Sequence, residues 1–239
     1  MLNSQTLQDQ VIFITGASRG IGRQVAMTCA QAGANVVVSA RSEEGYRAVV
    51  DEIINQGGKA YGLKLDVTSD DSVQQSVAAV IKRSNRIDAL VNCAGVIQYN
   101  TPVWQTTIAD WDHMMEVNLR GTFLTCHAIA PHMVDQGQGK IVNLASSSAR
   151  MADDDLGPYT ASKWAVAGYT TSLARSLRPH GIRVNGVNPG WVDTDMSRAY
   201  QAEGDSEWST PQEIANSVLY LLTIAPRDMT GQFLDIFGS

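Results

Sequence analysis

The sequence predicts an α/β fold, a doubly wound three-layer α/β/α arrangement around a seven-stranded parallel sheet. Three observations carry that expectation. Seven short apolar runs, at 11–15, 35–39, 60–65, 89–92, 140–145, 182–187 and 232–236, alternate with longer stretches of helical period. The runs are largely continuous rather than alternating, as in strands covered on both faces. The first run ends in a turn crowded with glycine, after which Ile21, Val25, Cys29 and Ala32 recur at helical spacing.

Composition bounds the rest. The chain has 239 residues and no linker, repeat or low-complexity tract, so one domain over 1–239 is expected. Net charge is −6 and the 18 lysines and arginines form no cluster, which excludes the electrostatic footprint of a nucleic-acid binder. Cys29, Cys93 and Cys126 are widely spaced, without a metal-ligand pattern, and suit a reducing compartment. Residues 1–10 carry no basic or apolar leader, and no run approaches the roughly 18 apolar residues of a membrane span. The expectation is a soluble cytoplasmic protein with no membrane partner.

The first strand delivers Thr15-Gly16-Ala17-Ser18-Arg19-Gly20-Ile21-Gly22. A strand-to-helix turn of this kind aims backbone N–H groups from a helix N-terminus, and Gly16, Gly20 and Gly22 let a diphosphate come close. The spacing GxxxGxG departs from the GxGxxG dinucleotide fingerprint and lacks the GK[ST] of a P-loop. By itself it is either a Rossmann-type phosphate cradle, with Ser18 and Ile21 inside it, or only a tight turn.

The second strand ends at Ala40-Arg41, where an NAD site commonly presents an acid to the ribose 2′-hydroxyl. Arg41 stands there instead, with Arg19 nearby in the turn, which favours the 2′-phosphate of NADP(H) over NAD(H); both arginines as plain surface residues is the alternative. The third run ends in Asp66-Val67-Thr68. Asp66 is placed to hydrogen-bond an adenine amino group or to serve the loop, and Thr68 with Asp71 fits a helix cap. Asn92-Cys93-Ala94-Gly95 ends the fourth strand with small residues that permit close approach of a ligand, or form a turn.

Thr107 and Asp110 fit the cap of a long helix whose inward stripe is expected to hold Trp111, Met115, Asn118 and Thr122. A buried amide at Asn118 needs partners, from neighbouring backbone or from a site, because leaving it unpaired costs about 1–3 kcal/mol. The fifth strand brings Ser146 to the sheet rim. Thirteen residues on, Tyr159 lies one residue after Pro158, which suits a first helical turn, and Tyr159 and Lys163 share a helix face. An ammonium beside a phenol favours its ionised form.

The sixth strand leads to Pro189-Gly190-Trp191-Val192-Asp193-Thr194, a rigid turn able to cover one end of a dinucleotide, with Thr194 near its phosphates. Residues 195–210 lack a strong apolar period and are expected to form a substrate lid. Thr210-Pro211-Gln212-Glu213 then makes a complete helix start.

Together these motifs resemble the single-domain branch of the short-chain dehydrogenase/reductase family, over Val11 to Gly238, and within it are most similar to 3-oxoacyl-[acyl-carrier-protein] reductases. The resemblance implies a catalytic tetrad of Asn118, Ser146, Tyr159 and Lys163. It also implies cofactor contacts from Gly16, Ser18, Arg19, Gly20, Ile21, Gly22, Arg41, Asp66, Val67, Asn92, Ala94, Gly95, Tyr159, Lys163, Pro189, Gly190, Val192 and Thr194. The implied activity is NADP(H)-dependent reduction of a small carbonyl substrate, or oxidation of the alcohol, with Tyr159 as general acid/base, Ser146 on the carbonyl oxygen and Asn118 fixing a water. A sensor or scaffold that keeps the fold without turnover is the rival. No metal is implied, and relatives associate as homodimers or homotetramers through the helix after Tyr159; Ala161, Ala165 and Gly168 suit either that packing or the core. Cys93 stands where a second asparagine or another small residue is usual, and Asp153-Asp154-Asp155 is either a solvated loop or a bias against anionic substrates. Arg120, Arg150 and Arg198 are the obvious basic groups for an acidic carrier protein.

Overall fold

The computed structural model describes residues 6–98, 101–152, 154–200 and 208–237. Its seven strands are β1 (Val11–Thr15), β2 (Asn35–Ala40), β3 (Lys59–Lys64), β4 (Ala89–Asn92), β5 (Gly139–Leu144), β6 (Ile182–Pro189) and β7 (Phe233–Ile236). They form one sheet in the order β3-β2-β1-β4-β5-β6-β7, every pair parallel. The chain runs outward from β1 to β3, returns beside β1 at β4, and runs outward again to β7. The reversal between β1 and β4 is the switch point at which such sheets open a crevice beyond their carboxyl ends.

The strands are apolar on both sides because both sides are covered. Ile12 and Ile14 of β1 face a core shared with α1 (Gly20–Gln31), α2 (Glu43–Asn55) and α8 (Pro211–Leu222). Val11 and Phe13 face the opposite core, built with α3 (Asp70–Ser84), α5 (Gly121–Gln136) and α6 (Gly157–Leu177). Each such buried aliphatic or aromatic side chain contributes about 1.5–3 kcal/mol, and Phe13, Ile12 and Ile14 are almost wholly buried. The expected three-layer arrangement and seven-stranded parallel sheet are those observed.

Local signals differ in three places. The cap of α3 is Ser69, whose hydroxyl accepts from Ser72 N; Thr68 instead gives its N–H and hydroxyl to Asp66. The Asp66 carboxylate competes for Thr68 and wins because it is charged. Second, the long helix is α4 (Ile108–Met114), capped by Thr107 as expected, then a π-helical turn (Met115–Arg120), then α5. The i→i+5 bonding of that turn takes up an extra residue, so a regular period counted back from Asn118 goes out of phase. Trp111 is consequently exposed, and Met114, Val117, Asn118 and Thr122 are the buried residues. Third, β6 runs on to Pro189, paired with Ile236 on the edge strand β7. That carries the turn at Gly190 to the rim, where a side chain at Gly190 would meet the Phe237 backbone at 2.8 Å.

Pro158 sits in the first turn of α6, and Thr210 with Glu213 forms the expected capping box of α8. Within the expected lid, Thr194 caps a short α7 (Asp195–Arg198), and Ser209 bridges back to Val192. Residues 201–207 of that segment, Asp153 of the acidic run and Gly238 lie outside the described residues. Among the described residues no helix is long and apolar enough to cross a membrane, and no group of His, Cys, Asp or Glu is placed to hold a metal ion.

Candidate active site

A cleft of about 1140 Å³ opens along the carboxyl ends of the strands. Gly16, Ser18, Arg19, Gly20, Ile21 and Gly22 line one end, and Arg41, Asp66, Val67, Ala94 and Gly95 the wall next to it. Ser146, Tyr159, Lys163, Pro189, Gly190, Val192 and Thr194 line the remainder. Residues from seven separate segments thus meet in one crevice. The exceptions are Asn92 and Asn118, which the fold places behind its wall.

At the glycine end the backbone leaves no room for side chains. Gly16 has φ +63°, and a β-carbon there would lie 2.7 Å from the Ala94 Cα and N; at Gly22 it would lie 2.3 Å from the Gly16 oxygen. Arg19 occupies the N-cap of α1 without a side-chain capping bond, so the N–H groups of the first turn remain open toward the cleft. Thr194 faces this turn, its methyl 3.4 Å from where a Gly20 β-carbon would be. Thr15 fixes the neighbouring strand end: its buried hydroxyl accepts from the N–H groups of Cys93 and Ala94, at 3.1 and 3.2 Å. Nothing in the sequence distinguishes this threonine from any other at a strand end, because the contact spans 78 residues of chain.

The end of β2 carries no carboxylate into the cleft. Ala40, Arg41 and Ser42 line it, and the Ser42 hydroxyl is engaged as the cap of α2, accepting from Gly45 N at 3.2 Å. Asp66 is held well ionised, its carboxyl lowered by the hydrogen bonds from Thr68 and, more weakly, by the charge of Arg41.

Asn92, expected among the cofactor contacts, turns its side-chain amide into the core. Its amide donates to Asn143 Oδ1 at 2.9 Å and accepts from Thr125 Oγ1 at 2.8 Å, while Asn143 donates to Thr170 Oγ1 at 2.9 Å. All four side chains are buried and tie β4, β5, α5 and α6 together. An amide inside an apolar core needs such partners.

Asn118 lies in the π-helical turn and is 1 % exposed. Its Nδ2 donates to Val96 O and Ser162 Oγ, both at 3.0 Å, and its Oδ1 accepts from Val96 N at 2.8 Å. It thereby pins the Gly95-Val96 segment against α6. A β-carbon at Gly95 would sit 3.3 Å from Asn118 Oδ1 and 3.7 Å from Lys163 Nζ, so this glycine keeps the space between them clear.

Lys163 is 6 % exposed and its ammonium donates to the Leu144 carbonyl at 3.0 Å. Burial lowers its pKa to about 8, an effect the nearby Cys93 thiol partly opposes. The Tyr159 phenol is pushed upward by burial, with its hydrogen bond to Ser146 acting in the opposite direction. The anticipated pull of Lys163 on the phenol is therefore not the dominant influence: the ammonium is turned toward Leu144, and desolvation of the ring outweighs the attractions. Ser146 itself caps the 3₁₀ turn Ser147–Ala149 by accepting from Ser148 N at 3.1 Å, which fixes its hydroxyl at the rim beside Tyr159.

The cleft also holds residues that sequence reasoning did not single out, Met151, Leu156, Met196 and Phe237, together with Trp191 of the turn after β6. They come from two segments, 150–156 and 190–196, and from Phe237 after β7, so no period or spacing marks them.

A doubly wound sheet whose switch-point cleft gathers a glycine turn, a rim serine and a Tyr/Lys pair defines a dinucleotide-dependent oxidoreductase. The chain belongs to the short-chain dehydrogenase family, whose model, described as short chain dehydrogenase, matches residues 10–205. It is 35 % identical over 240 residues to a 3-oxoacyl-[acyl-carrier-protein] reductase of Synechocystis sp., covering 97 % of each chain. A short-chain type dehydrogenase/reductase from Mycobacterium marinum superposes with a TM-score of 0.92 at 35 % identity, covering 99 % of this chain and 97 % of that one. An actinorhodin polyketide ketoreductase solved with NADPH superposes at 0.90 with 33 % identity, covering 96 % of each. The protein is an oxidoreductase of this family, and the family binds nicotinamide cofactors. The closed glycine cradle, the uncapped N-terminus of α1 and the acid-free end of β2 fit such a group.

Proposed function

We infer that the protein is an NADP(H)-dependent carbonyl reductase, able to run as an alcohol dehydrogenase in reverse. The observation that carries this reading is the convergence of Ser146 and Tyr159 on the wall of one cleft, with the buried Lys163 ammonium 5.5 Å from the centroid of the Tyr159 ring.

In this reading the glycine turn 16–22 and Thr194 hold a diphosphate, Asp66 and Val67 border the adenine, and Ala94, Gly95, Pro189, Gly190 and Val192 border the nicotinamide half. Arg41 and Arg19 neutralise a 2′-phosphate, a task that suits exposed guanidinium groups at a strand end without a competing acid. When bound, the reduced nicotinamide supplies the hydride, so the cofactor carries the redox chemistry. Ser146 donates a hydrogen bond to the substrate oxygen and stabilises the charge that grows there, a contribution of about 3 kcal/mol. Tyr159 gives its phenolic proton to that oxygen, and in the oxidative direction takes one back. The upward-shifted phenol suits the reductive direction, since the donor stays protonated at neutral pH. Lys163, while charged, offsets the phenolate left behind and donates to ribose hydroxyls. Asn118 acts by positioning, holding Val96 and Ser162 so that a water beside Lys163 links it to solvent.

Association into a dimer or tetramer is part of the same proposal. Ala161 and Ala165 are only partly buried, Gly168 has nothing within 4 Å of where a side chain would be, and Trp164 on the same face is 53 % exposed. This face is incompletely covered within the subunit, which supports a face-to-face contact of α6 between copies. The three unpaired cysteines, with Cys29 and Cys126 pushed up to about 12 by burial, suit the reducing cytoplasm.

The reading is tested by following oxidation of NADPH and NADH by their near-ultraviolet absorbance against an acetoacetyl thioester, simple and bulky ketones, diketones and sugars. Turnover with at least one carbonyl, favouring NADPH, is expected; tight cofactor binding without turnover of any carbonyl or alcohol would contradict it.

A further inference from the structure

The substrate end of the cleft has a composition that the general reductase reading does not require. Its wall is formed by residues 145–156 and 190–196 together with Phe237. Met151, Trp191, Met196 and Phe237 contribute large apolar surface that is 37–56 % exposed, and the buried Leu156 backs it. A concave exposed apolar patch of this kind marks a binding surface. Among the described residues lining that stretch none carries a positive charge, and Asp195 carries a negative one. The guanidinium groups lining the cleft are Arg19, within the glycine turn, and Arg41, at the end of β2.

Trp191 is held in place by its own neighbours. Its ring stacks on Tyr200 at 5.0 Å between centroids with planes 22° apart, and on Trp208 at 5.6 Å and 16°. Offset stacking of this kind fixes a large side chain in one orientation. The indole is thus a preset wall rather than a mobile cover.

The basic groups that an acidic carrier protein would need are already matched by acids. Arg198 makes a two-pronged contact with Asp193 at 2.6 and 2.8 Å, Arg150 pairs with Asp235 at 3.4 Å and lies over the Phe233 ring, and Arg120 pairs with Glu116 at 3.8 Å. Asp195 adds a further negative charge to the lining. A carboxylate or phosphate entering this end finds no cation to replace its water, and an acidic protein finds its own sign of charge.

We propose that the substrate is an uncharged carbonyl compound with a flat apolar ring body, delivered free rather than on a carrier protein, and that Trp191 is its principal specificity residue. The ring body lies against Trp191, Met151, Met196 and Phe237 while the carbonyl oxygen reaches Ser146 and Tyr159. This inference rests on the reductase reading and narrows it.

The test compares kcat/KM for beta-tetralone, an acetoacetyl thioester presented with and without an acidic carrier protein, and a keto sugar acid. Tetralone is expected to exceed the others by at least about tenfold, the range a shaped apolar pocket provides. In Trp191→Ala the ratio of tetralone to thioester is expected to fall about tenfold, with Trp191→Phe restoring most of it. Preference for the thioester or the keto acid, or an unchanged ratio in Trp191→Ala, would overturn the inference and leave the reductase reading intact. If none of these probes turns over, calorimetry on the cofactor-loaded protein decides the pocket, and the broader carbonyl panel decides the reductase reading. Tetralone binding that Trp191→Ala weakens about tenfold supports it; keto acid binding more tightly than tetralone overturns it.

Discussion

The Lys163 ammonium lies 5.5 Å from the centroid of the Tyr159 ring while its hydrogen bond goes to the Leu144 carbonyl at 3.0 Å. The pair expected from an i, i+4 spacing is therefore present, but the lysine is anchored to β5 and sits over the ring rather than at its hydroxyl. An ammonium in that position is stabilised by one carbonyl and a ring face, and destabilised by the loss of water.

Lys163→Met should raise folding stability while abolishing turnover. The native pKa of about 8 lies below the unfolded value, so between these values the unfolded chain binds more protons and stability rises with pH. At neutral pH the shift corresponds to about 3 kcal/mol at most, and loss of the bond to Leu144 takes about 1 kcal/mol back. The melting temperature of the cofactor-free variant should therefore rise at pH 7 and lose its increase between about pH 8 and 10. A lower melting temperature at pH 7 would show that the lysine is a stabilising group.

Gly22→Ala should disable cofactor binding and destabilise the fold together. Its β-carbon would lie 2.3 Å from the Gly16 oxygen, and backbone on both sides prevents relief. A loss of about 1–3 kcal/mol is expected from the forced shift, read by denaturant unfolding, with cofactor affinity lost in calorimetry.

Arg41→Ala should weaken NADPH and spare NADH. A charged hydrogen bond to a phosphate is worth about 1.5–3 kcal/mol, so the ratio of dissociation constants should move about ten- to hundredfold. The wild-type preference should also shrink with added salt, since Arg41 is exposed. An unchanged ratio would place the 2′-phosphate elsewhere.

Asn143→Leu should cost about 1–3 kcal/mol by taking the amide acceptor from Asn92 and a donor from Thr170 inside the core. The loss should be visible in urea unfolding.

The sheet was legible because a strand covered on both faces must be continuously apolar, and β1 with Ile12, Ile14, Val11 and Phe13 shows how literally that holds. The glycine turn and the Tyr159/Lys163 spacing were legible because each is local. What escaped is non-local or irregular. The π-helical turn moved Trp111 to the surface, and Asp66 drew Thr68 away from the cap that Ser69 then took. The side-chain partners of Asn92, Thr125 and Asn143, lie 33 and 51 residues away in sequence and leave no local mark. The apolar substrate wall joins Met151, Trp191, Met196 and Phe237, which no sequence period connects.

The most direct measurement is single-turnover oxidation of NADPH by Tyr159→Phe, set beside its cofactor affinity. Removing one oxygen keeps the ring that packs by Lys163, so the dissociation constant for NADPH should stay within about threefold of wild type. Turnover should fall by at least about a hundredfold, the scale of a lost general acid. A variant that binds NADPH normally and still reduces its substrate at a comparable rate would contradict the assignment of Tyr159 as the proton donor.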